Sequence, residues 1–61
     1  MKKAEETIIR PTEQEANEEA ERLISLYRKE NYKLSNHFNL KLIDTENGQV
    51  KSFAVILKFV K

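Results

Sequence analysis

Cysteine and tryptophan are absent from this sequence of 61 residues, and histidine, glycine and proline occur once each. Without cysteine, neither a disulfide nor a thiolate zinc site can form. A single histidine cannot build a metal site without carboxylate help, so we expect no metal site. A domain of this size buries only about 60% of its unfolded surface and is marginal alone. Of the devices that stabilise small domains, oligomerisation is therefore favoured.

Long apolar runs are also absent. Nothing approaches the roughly 20 consecutive apolar residues of a membrane span, and no apolar segment follows Met1-Lys2-Lys3 as in a signal peptide. We therefore expect a cytoplasmic protein that has no membrane partner. The net charge of +1 hides an asymmetry, because residues 1–21 hold seven acids and three bases while residues 22–61 hold eight bases and three acids. This pattern favours a solvated acidic helix start, with a basic surface for an anion or nucleic acid as the alternative.

The last third of the chain has the pattern of a β-hairpin. Asn47-Gly48 between alternating apolar residues predicts a two-residue type I′ turn, which needs positive φ at both positions. That turn fixes the register and places the largest apolar residues on one predicted core face. The pairs on this face are Leu42 with Phe53, Leu40 with Val55, Phe38 with Leu57 and Asn36 with Phe59. Leu40→Asp should then unfold the protein, because it would bury an unpaired charge.

The second face of the predicted hairpin is mixed in polarity. Lys41 and Lys58 lie there beside Asn39 and His37, among more aliphatic residues than a solvated face needs. We predict an oligomer interface, to which Leu26 is added because it lies off the apolar stripe of the helix. The predicted interface residues are Ile43, Val50, Ala54, Ile56, Val60 and Leu26. A slip of one residue would exchange the two faces.

The segment before the hairpin has the pattern of an amphipathic helix. Thr12 and Glu15 form a capping box, so a helix is predicted from about Glu13 to about Glu30, with Asn31 as its terminator. Its apolar residues fall on one stripe at helical spacing. These residues are Ala16, Ala20, Leu23, Ile24 and Tyr27.

The N-terminal part is harder to assign. Residues 7–10 are β-prone and are cut off by Pro11, which indicates either a brief edge strand or an ordered coil. Residues 1–6 are charged and predicted to fray. Residues 1–61 are therefore predicted to form a single α+β domain. In it one helix packs on an antiparallel sheet built around the C-terminal hairpin, in β-α-β-β order.

Three stretches carry a family resemblance: residues 12–20 (TEQEANEEA), 46–50 (ENGQV) and 55–58 (VILK). With this layout the chain resembles the dodecins, small flavin-binding proteins built as strand, helix, strand, strand. The resemblance implies a hollow dodecamer in which the helix packs inside a curved sheet. It also implies a flavin stacked on a tryptophan at the start of the second strand and held by a glutamine on the third. In this sequence Tyr32 is the aromatic residue nearest the position of that tryptophan, and Ala54 stands at the position of the glutamine. The cofactor therefore stays unknown.

Four residues are candidates for ligand binding. Lys41 and Lys58, with His37, are predicted to hold a small phosphate or carboxylate, and Tyr32 is predicted to stack on an aromatic ring. As an acid–base residue, His37 would need a carboxylate or a nucleophile nearby, and the predicted register offers it a lysine. We therefore predict no catalytic residue and expect no enzyme.

Three functions remain open. The first is a non-catalytic homo-oligomeric binding protein that assembles through the outer sheet face, with a small anionic or aromatic ligand. The second is a phage or mobile-element interaction module that inhibits or regulates a host protein, since a free strand edge can extend a partner's sheet. The third, ranked below these, is weak nucleic-acid binding through the basic residues 22–61, because the overall net charge is close to zero.

Overall fold

A computed structural model describes the whole chain, residues 1–61. Strand β1 spans Lys3–Arg10, helix α1 spans Glu13–Lys29, strand β2 spans Lys33–Ile43 and strand β3 spans Val50–Val60. The sheet has the order β1-β3-β2, and β3 pairs antiparallel with both neighbours. The predicted α+β fold and its β-α-β-β order are confirmed.

Strand β1 is longer than predicted. It begins at Lys3 and pairs with β3 along its whole length, from Lys3 opposite Val60 to Arg10 opposite Phe53. The fraying predicted for residues 1–6 is therefore wrong for residues 3–6. Ile8 lies in the core and is almost fully buried, which secures the strand. β1 forms one edge of the sheet and ends just before Pro11, in agreement with the tolerance of sheet edges for proline.

Helix α1 begins as predicted. The hydroxyl Oγ1 of Thr12 accepts a hydrogen bond from the backbone N–H of Glu15 at 3.2 Å, which satisfies one of the free N–H groups of the first turn. Ala16 and Ala20 are the buried residues of the helix. Because their side chains are small, the helix axis lies close to the sheet.

The end of the helix is a Schellman motif. Asn31 has a φ of 68°, its N–H donates to the carbonyl of Arg28 at 3.0 Å, and the N–H of Tyr32 donates to the carbonyl of Tyr27 at 3.0 Å. The rings of Tyr27 and Tyr32 meet edge to face with centroids 5.2 Å apart. The predicted role of Asn31 as the helix terminator is confirmed.

The loop of the hairpin differs from the predicted two-residue turn. Residues 45–48 form a four-residue loop, in which the N–H of Asp44 donates to the carbonyl of Gln49 at 2.8 Å. Oδ1 of Asp44 accepts from the N–H of Glu46, and Oδ1 of Asn47 accepts from the N–H of Gln49. Gly48, with a φ of 70°, is the one loop residue at positive φ. The side chains of Asp44 and Asn47 thus bind backbone two residues ahead and stabilise the longer loop.

The predicted register of the hairpin is wrong by one residue. Strand β2 pairs Phe38 with Ile56, Leu40 with Ala54 and Leu42 with Ser52. The four-residue loop shifts the register by two residues and a bulge at Lys51 shifts it back by one. A second irregularity follows at Ser35. Since a one-residue slip moves every side chain of a strand to the other face, the apolar side chains of β2 point away from the helix.

The core lies between α1 and the two strands β1 and β3. Val55, Leu57 and Phe59 are at most 2% exposed, and the ring of Tyr27 stacks on Phe59 with centroids 4.1 Å apart. No residue of β2 is buried, because the helix covers the other two strands. Leu40 is 47% exposed on the far side of the sheet, so the expectation that Leu40→Asp unfolds the protein through a buried charge is wrong.

Candidate functional site

The side of the sheet that faces away from α1, here the outer face, carries a row of large apolar side chains. We define the outer patch as Ile9, Phe38, Leu40, Leu42 and Ile56. The first four are between 36% and 53% exposed, and Ile56 is half-buried. The patch runs across all three strands, because Ile9 belongs to β1 and Ile56 to β3.

The sheet register brings these residues together. Ala54 lies between Ile9 on one side and Leu40 on the other, and these larger neighbours leave it only 5% exposed. Ile56 lies in the same way between Thr7 and Phe38. Cross-strand neighbours of this kind stabilise a sheet, with Cβ atoms roughly 4.5–5.5 Å apart. The patch is therefore a continuous apolar surface rather than scattered side chains.

The other end of the outer face is charged. Nζ of Lys58 lies 3.7 Å from Oε1 of Glu5 and 5.9 Å from the centre of the Phe38 ring. An exposed ion pair of this kind contributes little to stability. Lys3 and Ser35 border the same open depression, whose volume is about 450 Å³. Lys58 therefore already has a carboxylate and an aromatic ring beside it.

The helix side of β2 carries the remaining polar candidates. His37 pairs with Leu57 rather than with Lys58, and Lys41 pairs with Phe53. Nε2 of His37 lies 3.1 Å from Oδ1 of Asn39. Lys41 and Asn39 line a cleft of about 80 Å³ beside the start of α1, which is well below the roughly 300–1,000 Å³ of small-molecule sites.

The four predicted ligand-binding residues thus do not form one site. His37 and Lys41 lie on the helix side, whereas Lys58 lies on the outer face. Tyr32 packs against Tyr27 at the end of the helix, with Nζ of Lys61 5.2 Å from the centre of its ring.

The positions that the dodecin resemblance assigns to flavin contacts do not fit a flavin. Tyr32 is packed against the hydrophobic core at the end of α1, so its ring is not a free platform. Ala54 is buried among its strand neighbours on the outer face and has no polar side-chain atom. Position 32 therefore offers no free stacking surface, and position 54 offers no hydrogen-bonding side chain.

The predicted interface residues are divided among three places. Ala54, Ile56 and Val60 lie on the outer face, as the alternation of β3 requires. Ile43 and Val50 pair with each other next to the hairpin loop and are exposed.

Leu26 is exposed on α1 and therefore lies on the opposite side of the sheet from the outer patch.

Sequence reasoning missed Ile9, Phe38, Leu40 and Leu42 as surface residues. The last three reach the outer face through the bulge at Lys51, which no local signal in the sequence marked.

The shifted pKa values belong to the helix side of the molecule. A hydrogen bond from Arg22 lowers the pKa of Glu19. Burial raises the pKa of Tyr27, and the nearby carboxylate of Glu6 raises it further. No three metal-binding side chains lie close enough together to hold an ion. The five residues of the outer patch are all apolar and carry no titratable side chain.

Comparison with known proteins adds no family. No protein-family model matches the chain, and no curated protein or solved structure is significantly similar to it. The one helix of the chain is too polar and too short to cross a membrane.

Proposed function

We propose that the protein is a non-catalytic homo-oligomer in which the outer patch of one copy packs on the outer patch of a second copy. The observation that carries this proposal is the exposed apolar row Phe38, Leu40 and Leu42 on a sheet whose other side is covered by α1. Sheets bury an apolar face against another layer. This chain supplies a layer for only one of its two faces.

The thickness of the molecule supports this proposal. Its Cα atoms extend 43 × 20 × 10 Å, which is the depth of one sheet and one helix. Two sheets pack face to face at about 10 Å with strands nearly aligned. A pair of copies would thus form four layers, with the two helices outside and the two outer patches in the centre.

The area of the outer face is close to the area that a small protein–protein interface needs. The three strands have 8, 11 and 11 residues. At about 3.3 Å per residue and about 4.8 Å between strands they present roughly 475 Å² in projection. Two such faces together reach the roughly 1,000 Å² that a specific interface needs. The pleated side chains raise the accessible area above this projection.

The charges around the outer patch favour a second copy as its partner. The charged end carries both signs, with Glu5 paired to Lys58 and Lys3 beside them. In a twofold arrangement each sign on one copy can meet the opposite sign on the other. A chain of 61 residues without cysteine also gains the stability that small domains need in this way.

Nucleic-acid binding has less support from the same surface. Phe38 is exposed on the outer face, whereas the sequence predicted it on the core face. RNA-binding sheets of this kind stack two or three bases on several aromatic residues. The outer face offers one ring, and its neighbour Lys58 is paired with Glu5.

Size-exclusion chromatography with light scattering tests the proposal. Ile56→Asp places a charge in the centre of the outer patch, and Phe38→Asp does so at its edge. Both should give a particle of smaller mass than wild type, with a helical circular dichroism spectrum retained. The matched control is Leu26→Asp, which changes an exposed leucine on α1 and should leave the mass of the assembly unchanged.

Two results would contradict the proposal. One is a wild-type particle of 7.2 kDa at every concentration examined. The other is dissociation by Leu26→Asp while Ile56→Asp and Phe38→Asp assemble normally. That second result would move the interface to the helix side.

A further inference from the structure

The two edges of the sheet are protected very differently. The β1 edge has 8 residues, four of them charged, and ends before Pro11. The β2 edge has 11 residues, none of them buried, with two lysines and neither an acid nor a proline. Charges, proline and short length are the usual protection of sheet edges, and a long apolar edge invites another strand.

We propose that β2 pairs antiparallel with β2 of a second copy, about a twofold axis at Leu40, and so extends the sheet to six strands. This inference rests on the homo-oligomer proposed above and adds a second, distinct contact to it. The axis is perpendicular to the sheet, so both helices lie on the same side. The two outer patches then form one continuous apolar surface.

Hydrogen-bond geometry restricts the register of such a pair. Along a strand the N–H and C=O groups of successive residues point to alternate sides. Two residues that face each other must both point toward the partner or both point away. A twofold pair therefore places a residue opposite itself, and near the middle of β2 the choices are Asn39, Leu40 and Lys41.

Side chains select among these registers. An axis at Lys41 places two lysines directly opposite each other, and an axis at Asn39 places Lys41 opposite His37. Two lysines opposite each other are destabilising, and the axis at Asn39 also places Leu42 opposite Asn36, whereas pairs of apolar side chains stabilise a sheet. An axis at Leu40 places Leu40 opposite itself, Phe38 opposite Leu42, and Lys41 opposite Asn39.

Symmetry gives this contact a consequence for the whole assembly. Edge pairing uses the unprotected β2 edges and leaves the charged β1 edges at both ends of the six-stranded sheet. Two such sheets, packed through their joined outer patches, form a closed tetramer with three twofold axes. Neither an apolar face nor an unprotected edge then remains in solvent.

A cysteine scan on this cysteine-free chain tests the register. In Leu40→Cys the two cysteines would face each other with Cα atoms roughly 4.5–5.5 Å apart, within the range of about 4.4–6.8 Å for a disulfide. Mild oxidation should give a covalent dimer on a non-reducing gel. Face-to-face packing cannot produce it, since packed sheets lie about 10 Å apart.

The matched controls are Phe38→Cys and Leu42→Cys, on the same strand and the same face. Each variant alone should stay uncrosslinked, because the two substituted residues of the pair do not lie opposite each other. A mixture of the two variants should crosslink, because Phe38 of one copy faces Leu42 of the other. Crosslinking of Leu42→Cys alone in place of Leu40→Cys would overturn the register.

Further outcomes separate this inference from the proposed function. In a Leu40→Cys background, Ile56→Asp should remove the face-to-face contact and leave the disulfide. An oligomeric wild-type particle in which Leu40→Cys and the control mixture do not crosslink would overturn edge pairing alone. A wild-type monomer whose Leu40→Cys variant stays reduced would overturn both.

Discussion

Leu40 and Leu57 give the most direct contrast between the two faces of the sheet. Leu57 is fully buried, with 0% of its surface exposed, whereas Leu40 is 47% exposed on the outer face. An aspartate at position 57 would place an unpaired carboxylate in the core, which costs several kcal/mol. The core of a domain this small supplies only about 3–5 kcal/mol of stability. Leu57→Asp should therefore be unfolded at 25 °C.

The same substitution at Leu40 should behave as a surface change in the isolated chain, within about 0.5 kcal/mol of wild type. Its effect should appear only through assembly. At a concentration one hundred times the dissociation constant, association stabilises a folded chain by about 2.7 kcal/mol. Because 1 kcal/mol shifts the melting temperature of so small a domain by up to about 8 °C, assembly should raise the melting temperature by roughly 20 °C.

Thermal melts followed by circular dichroism, over about a hundredfold range of protein concentration, measure this effect. The melting temperature of wild type should rise with concentration, and that of Leu40→Asp should not. At the lowest concentration the two should melt together. If Leu40→Asp is unfolded in the same way as Leu57→Asp, the side chains Phe38, Leu40 and Leu42 of β2 face the helix, and the observed register is refuted.

Two further predictions concern the local structure. Thr12→Ala removes the hydroxyl that caps α1 and should cost about 1 kcal/mol in urea unfolding, whereas Thr12→Ser should retain the cap; equal stability of all three proteins would contradict the role of Thr12. Burial and the carboxylate of Glu6 raise the pKa of Tyr27 above 10.0, so its contribution to stability is present in full below pH 10.0 and is lost as the pH rises through the folded-state pKa. Tyr27→Phe should therefore lose less stability than wild type in alkaline solution, and parallel pH profiles would contradict this role.

Local signals in the sequence were sufficient for most of the fold. The capping box at Thr12 marks the start of the helix, and Asn31 with its positive φ marks the end. Both act on neighbouring backbone groups. The alternation of Phe53, Val55, Leu57 and Phe59 identified the core face of β3. Such features need no knowledge of the rest of the chain.

The position of β2 was not predictable in the same way. Pairing the large residues Phe38, Leu40 and Leu42 with the core stripe of β3 buries more apolar surface within one chain, so the sequence favours it. The bulge at Lys51 decides otherwise, because the four-residue loop alone shifts the register by two residues and leaves every side chain on its face. A one-residue shift then reverses the face of the whole strand.

The set of residues that lies on the outer face depends on the one-residue difference in the register of β2. Ile56 and Ala54 were expected on the outer face from the alternation of β3, and they are there. His37 and Lys41 were predicted on the outer face, and they lie on the helix side because the register of β2 differs by one residue. A functional surface on one strand is therefore only as predictable as the register of that strand.

Sedimentation equilibrium of the unmodified protein, over a wide range of concentration, tests the central claim most directly. That claim is that the outer patch is covered by a second copy. It predicts a particle of at least twice the 7.2 kDa mass of one chain, which dissociates on dilution. A mass of 7.2 kDa that stays constant at high concentration would contradict it.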